Sequence, residues 1–165
     1  MNNEIMREEI LTFIEKNSRV DLKELAIIVG TDEVTVANEM AAMEKERIIC
    51  GYHTLIDWDK TSSEMVTALI EVRVTPQRGQ GFDSIAERIY NYPEVRSVYL
   101  ISGAYDLMVI LEGKTLKQVS GFVSDKLSTL DSVLSTATHF ILKKYKDHGT
   151  IFTKKSKDER MLVTP

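Results

Sequence analysis

Val66-Thr67-Ala68-Leu69-Ile70-Glu71-Val72-Arg73-Val74 is the stretch on which the fold of this 165-residue chain turns. Val66, Ala68, Ile70, Val72 and Val74 alternate with Thr67, Leu69, Glu71 and Arg73, the period-two pattern of a strand with one buried face. Downstream, Pro76-Gln77-Arg78-Gly79-Gln80-Gly81 reads as a turn, and Phe82, Ile85, Ala86 and Ile89 mark a helix that stops before Pro93. Two strands follow at 95–101 and 107–111, joined by the tight connection Ser102-Gly103-Ala104-Tyr105-Asp106. Leu116, Val119, Phe122, Val123, Leu127 and Leu130 predict a second helix with its apolar side inward, and 133–142 the last strand. The order β-α-β-β-α-β over 65–145 predicts a ferredoxin-like unit, an antiparallel sheet with one face under two helices.

Upstream the period changes to that of helices. Met6, Ile10, Phe13 and Ile14 recur at helical spacing, and Asn17-Ser18 ends that segment. Asp21 with Glu24 has the capping-box arrangement ahead of a helix that buries Leu25, Ala26 and Val29 and ends at Gly30. Thr31 or Asp32 caps a third helix with Val36, Met40 and Met43 on its apolar face. Helix, short glycine turn, helix is the spacing of a helix-turn-helix, and equally of an ordinary small helical bundle. The segment Ile48-Ile49-Cys50-Gly51-Tyr52-His53-Thr54-Leu55-Ile56 is β-prone and predicts a connecting strand, available to pair with another chain. Residues 57–64 form a polar linker. The expected organisation is therefore α+β: 1–48 a (winged) helix-turn-helix, 49–64 connector and linker, 65–145 the ferredoxin-like domain and 146–165 a tail. That tail carries Lys146, Lys154, Lys155 and Lys157, preceded by Lys143 and Lys144, and predicts an ordered return segment before a disordered end.

Composition narrows the function. A hydrophobic fraction of 43% with 28% charged residues is globular. A single cysteine closes no intramolecular disulfide and builds no cysteine zinc site, which predicts a reduced, cytoplasmic setting. No apolar run approaches the roughly 18 residues of a membrane span, and the opening residues lack a signal peptide's pattern. His53, His139 and His148 have no metal-ligand spacing, Cys50 lies among apolar residues as a packed thiol, and no phosphate-binding glycine loop is present. No catalytic residue, metal or cofactor is expected.

These motifs, in this order, resemble the leucine-responsive/asparagine-regulator (Lrp/AsnC, feast/famine) family of transcription regulators over roughly residues 4–145. The resemblance rests on Leu25-Ala26, Ile48-Ile49-Cys50-Gly51-Tyr52, Gly103-Ala104-Tyr105-Asp106-Leu107 and Ser135-Thr136-Ala137-Thr138. It implies double-stranded DNA as partner for the helix-turn-helix. It further implies a homodimer built through the connector and the sheets, assembling to a higher even oligomer such as an octamer. The C-terminal domain would bind an amino acid or related metabolite, with Gly103, Tyr105, Asp106, Thr136 and Thr138 as effector candidates. An amino acid presents an ammonium and a carboxylate, which call for an acceptor such as Asp106 and donors such as a threonine hydroxyl. The same residues also have a purely structural reading, Gly103 as turn residue, Asp106 as local cap and the threonines as self-satisfied strand positions.

The DNA-binding half departs from the family pattern. Where its third helix ordinarily carries arginines, this chain has Val34-Thr35-Val36-Ala37-Asn38-Glu39-Met40-Ala41-Ala42. Residues 1–60 hold seven bases against thirteen acids, a balance of −6, so the whole-chain −4 leaves 61–165 at +2. Asn38 can read adenine and Thr35 a base or phosphate, while Lys23, Lys45 and Arg47 can contact the DNA backbone. Arg47 stands where the family usually has glycine. Two functions follow: a regulator that binds through several modest half-sites multiplied by oligomerisation, or a ligand-binding and oligomerisation module with a degenerate helix-turn-helix.

Overall fold

The computed structural model describes residues 3–75 and 81–152, in two compact units, Met1–Ile56 and Asp57–Pro165. In the first, α1 (Asn3–Lys16), α2 (Leu22–Val29) and α3 (Glu33–Lys45) enclose a core of Met6, Ile10, Ile14, Leu25, Ala26, Val29, Val36, Met43 and Ile49. The expected capping box does not close, because the Asp21 side chain makes no cap hydrogen bond. Gly30 ends α2 in the left-handed region, φ 74°, which glycine adopts without a Cβ penalty. Of the two candidates, Asp32 caps α3: it accepts from the Thr35 amide at 2.9 Å and the Thr35 hydroxyl at 2.6 Å. Those hydrogen bonds hold the Asp32 carboxyl below its usual range, the hydroxyl bond contributing most.

The end of α3 is a Schellman turn. The Ile48 amide donates to the Met43 carbonyl at 2.9 Å and the Arg47 amide to Glu44 at 3.1 Å. Its left-handed residue is Arg47, φ 61°, so the departure from glycine seen in the sequence falls where a side chain strains the backbone. Beyond it, no strand forms over 50–57. A strand exists only as a hydrogen-bonded ladder, and among the described residues the β-prone connector has no ladder partner. Cys50 is exposed, correcting the packed thiol, and its thiol donates to the Arg47 carbonyl at 3.1 Å.

The second unit follows the expected order. β1 (Val66–Val74), α4 (Phe82–Tyr90), β2 (Val95–Leu100), β3 (Leu107–Gly113), α5 (Leu116–Phe122) and β4 (Val133–Phe140) build a four-stranded antiparallel sheet ordered β2-β3-β1-β4. Ala68, Ile70, Val72 and Val74 meet Leu107, Val109 and Leu111 on one face. Ile85 and Ile89 from α4, and Val119, Phe122 and Leu127 after β3, cover that face. Leu116, expected inward, is exposed at the first turn of α5. The expected single helix widens into a π turn over Val123–Leu127, with the Ser128 amide bonded to the Val123 carbonyl at 2.8 Å. That widening lets Phe122 and Leu127, five residues apart, share the core side. After β4 a short hairpin pairs β5 (Lys146–Asp147) with β6 (Thr150–Ile151). Its turn residues His148 and Gly149 both have positive φ, as a type I′ hairpin requires. The expected turn at 76–80 and the tail from 153 lie outside the described residues. No helix among the described residues is long and apolar enough to cross a membrane.

The strain at Arg47 is measurable. Arg47→Gly should raise the stability of the first unit by roughly 0.5–1 kcal/mol, net of glycine's larger unfolded-state entropy. Urea unfolding of the full chain, followed by helical circular dichroism, checks this; a lower midpoint would mean that the arginine side chain makes a compensating contact.

Candidate functional site

The exposed ridge of α3 is Val34, Asn38, Ala41 and Lys45, spaced by four, three and four residues along one side of the helix. From Val34 to Lys45 it spans about 16 Å at the α-helical rise, and it carries no acid. Asn38 offers an amide suited to an adenine edge, Lys45 a phosphate contact, and the small apolar Val34 and Ala41 suit a thymine methyl. Val34 and Ala41 went unnoticed in the sequence because apolar residues there were read only for the core; their signal was the complement of the Val36/Met43 face. Thr35 lies off the ridge, and its hydroxyl donates to Asp32 at 2.6 Å. Lys23 on α2 and Arg47 beyond α3 are exposed.

Glu39 of α3 and Glu46 at its C-cap point elsewhere. At 100° per residue, Glu39 and Glu46 lie roughly a third of a turn from the ridge. Both are held by Arg7 of α1: its Nε donates to Glu39 at 2.7 Å and its terminal nitrogens donate to Glu46 at 2.8 and 3.2 Å. The pair raises the Arg7 guanidinium further, chiefly through its hydrogen bonds, and lowers the Glu46 carboxyl through the hydrogen bond to Arg7. Glu44 accepts from the Tyr52 hydroxyl at 2.8 Å. Partial desolvation, then that hydrogen bond and the Glu44 charge, push the Tyr52 phenol up to about 12. An open groove of about 690 Å³ between α1 and α2 is lined by Ile5, Phe13 and Ile28 with Glu8, Glu9 and Glu24, and by none of the candidate residues or the ridge.

In the second unit, Asp106 is anchored at three atoms. Its amide donates to the Val72 carbonyl at 3.1 Å and its carbonyl accepts from the Ile101 amide at 2.8 Å. Its Oδ2 accepts from the Val74 amide at 2.9 Å, extending the β1 ladder just beyond the start of β3. The cap is therefore long-range, joining the β2–β3 turn to β1, rather than the local bond the sequence suggested. Gly103 is not in the left-handed region, and a Cβ there would meet only the Ile101 side chain at an ordinary 3.6 Å. The fold of the single chain thus does not require glycine at 103. Tyr105 is half-buried in the same turn.

Thr136 and Thr138 stand apart from that cluster. They pair with Val72 and Ile70, so their half-buried side chains share the helix-covered face, on an edge strand beyond β1. Two strand spacings, about 9.5 Å, separate them from the β3 side where Asp106 sits. Within one protomer the five effector candidates do not converge on one pocket. Among the described residues no three His, Cys, Asp or Glu side chains come together as a metal site.

Comparison with known proteins agrees with both units. The family model "Lrp/AsnC ligand binding domain" matches residues 67–151. The uncharacterised HTH-type transcriptional regulator YugG of Bacillus subtilis is 52% identical over 158 residues, covering 95% of each chain. In fold, the chain is similar to a transcriptional regulator of Neisseria meningitidis in complex with L-methionine, with a TM-score of 0.68 at 22% identity. That match covers 86% of this chain and 91% of the other. It is also similar to a feast or famine regulatory protein from M. tuberculosis complexed with L-methionine, with a TM-score of 0.70 at 17% identity over 87% and 95% of the two chains. With the sheet order, the three-helix unit and a relative matched nearly end to end, the chain belongs to the Lrp/AsnC family of HTH-type transcriptional regulators.

Proposed function

We propose that this chain is a DNA-binding transcription regulator, working in the cytoplasm without catalysis, whose second unit oligomerises and senses an amino acid or related metabolite. The observation that carries the DNA half is the acid-free ridge Val34, Asn38, Ala41 and Lys45, with Glu39 and Glu46 drawn aside onto Arg7. It supports the regulator reading despite the −6 balance, because the ridge itself bears no acid. Lys23 and Arg47 add phosphate contacts at the margins. Asn38→Ala should cost roughly 1–3 kcal/mol of discrimination between the protein's own upstream duplex and a scrambled one. Lys45→Ala should weaken both duplexes alike and reduce the salt slope by about one. Fluorescence anisotropy across a salt series measures both, and parent binding without sequence preference at low salt would favour the ligand-module alternative.

For assembly, the exposed Ile48, Tyr52, Leu55 and Ile56 of the connector suit a second copy that supplies the missing ladder partner. The uncovered sheet face, with Leu69, Met108, Ile110 and Tyr99, supplies a second surface for the same partner. The homodimer built this way assembles further to an even oligomer such as an octamer. A stable monomer in light scattering at micromolar concentration would contradict it.

The effector site forms around Gly103, Tyr105 and Asp106, completed from another protomer, with Thr136 and Thr138 as outer contributors. The Val74 amide bonds to Asp106 Oδ2, leaving Oδ1 as the acceptor for a ligand ammonium, while glycine at 103 leaves the backbone open to close approach. L-Methionine, the ligand of two structural neighbours, is the first probe. Asp106→Asn should keep the Val74 contact and the fold while weakening the ligand-induced rise in melting temperature. Asp106→Ala should lower the melting temperature itself, because leaving the Val74 amide unpaired costs about 1–3 kcal/mol. A thermal-shift panel of amino acids in which Asp106→Asn matches the parent would remove Asp106 from the site.

A further inference from the structure

We infer that Arg7 is a positioning residue for DNA binding: from α1 it serves as the built-in counter-cation of the acids on α3, without itself contacting DNA. The inference rests on the regulator reading above and extends it to a residue outside the reading helix. Arg7 spends three of its five N–H donors on two carboxylates, one on Glu39 and two in a fork on Glu46. Glu39 on α3 and Glu46 at its C-cap stand seven residues apart, two turns along one helix side, so a single guanidinium spans them both. Side-chain exposure is 24% for Arg7 and 21% for Glu39, leaving this part of the cluster mostly enclosed. A cation so engaged is poorly available to a phosphate.

Two effects follow. The clamp joins the first helix to the middle and the end of the reading helix, fixing the direction in which Asn38 and Lys45 project. It also places a positive charge between two negative ones, shrinking the field that α3 would otherwise present to the phosphates. Without Arg7, both carboxylates are free to rotate toward the groove, where each repels phosphate over about a Debye length. Lysine carries the charge but lacks the planar fork, so it can screen both acids without holding them as firmly.

The test uses full-length protein, its own upstream duplex and a scrambled duplex, in anisotropy titrations from low to physiological salt. Arg7→Gln should weaken binding by roughly threefold to tenfold. Arg7→Lys should remain within about threefold of the parent. The combination Arg7→Gln/Glu39→Gln/Glu46→Gln should return binding to the parent level, with an unchanged salt slope because no phosphate contact has been removed. Glu8→Gln/Glu15→Gln, on exposed positions of α1, removes the same number of acids elsewhere and should shift affinity less than Glu39→Gln/Glu46→Gln does. Circular dichroism melts confirm that each variant is folded at the titration temperature. A triple variant as weak as Arg7→Gln, or an Arg7→Gln salt slope reduced by about one, would overturn the inference and make Arg7 a direct phosphate contact. Equal effects of the two acid pairs would overturn it as well, reducing the effect to net charge. Failure of the parent chain to prefer either duplex would instead defeat the regulator reading on which it depends.

Discussion

β1 is hydrogen-bonded on both sides, to β3 and to β4, and the second unit is arranged around that double ladder. Its register decides which side chains are covered. A slip of one residue would turn Ala68, Ile70, Val72 and Val74 to the open face and bring Thr67, Leu69, Glu71 and Arg73 beneath the helices. Burying Glu71 and Arg73 there carries a desolvation penalty, which disfavours the alternative. The same register carries Thr136 and Thr138 to the helix side and aligns the start of β3 with the Val72–Val74 stretch that receives Asp106.

Much of this was legible in the chain because it depends on local periodicity. Alternation marked β1, helical spacing marked α1 to α4, Gly30 marked the end of α2, and Thr31-Asp32 the start of α3. What escaped depends on distant partners. The connector has every propensity for a strand, but propensity supplies no ladder. The Asp21/Glu24 pair has the composition of a capping box without its bonds. Asp106 looked like a local cap, yet its partner amide is 32 residues away. The effector candidates were grouped by motif, whereas the sheet separates the turn residues from the threonines.

Charge shows the same division. A count over residues 1–60 gives the amount and sign, and correctly identifies an acidic segment. It has no access to direction. Glu39, placed by sequence where a base is common in the family, turns toward α1, and the neighbouring ridge is left neutral except for Lys45. Electrostatics near a groove depends on where each charge points and on its nearest counter-ion, so a balance of −6 is compatible with a reading face that bears no acid.

The side-chain oxygen that ends the β1–β3 ladder has a thermodynamic consequence. A backbone carbonyl in that place would be fixed by its own chain, whereas the Asp106 carboxylate can be polarised by any cation that approaches the β2–β3 turn. Such a cation and the Val74 amide draw on the same carboxylate, so occupancy of the turn and order at the end of the central strand are linked functions. Linkage is reciprocal: whatever a bound ammonium does to the fraying of β1, a change in that fraying does to ammonium affinity by the same factor. β1 also pairs with β4, so the strand that receives Asp106 belongs to both ladders of the sheet.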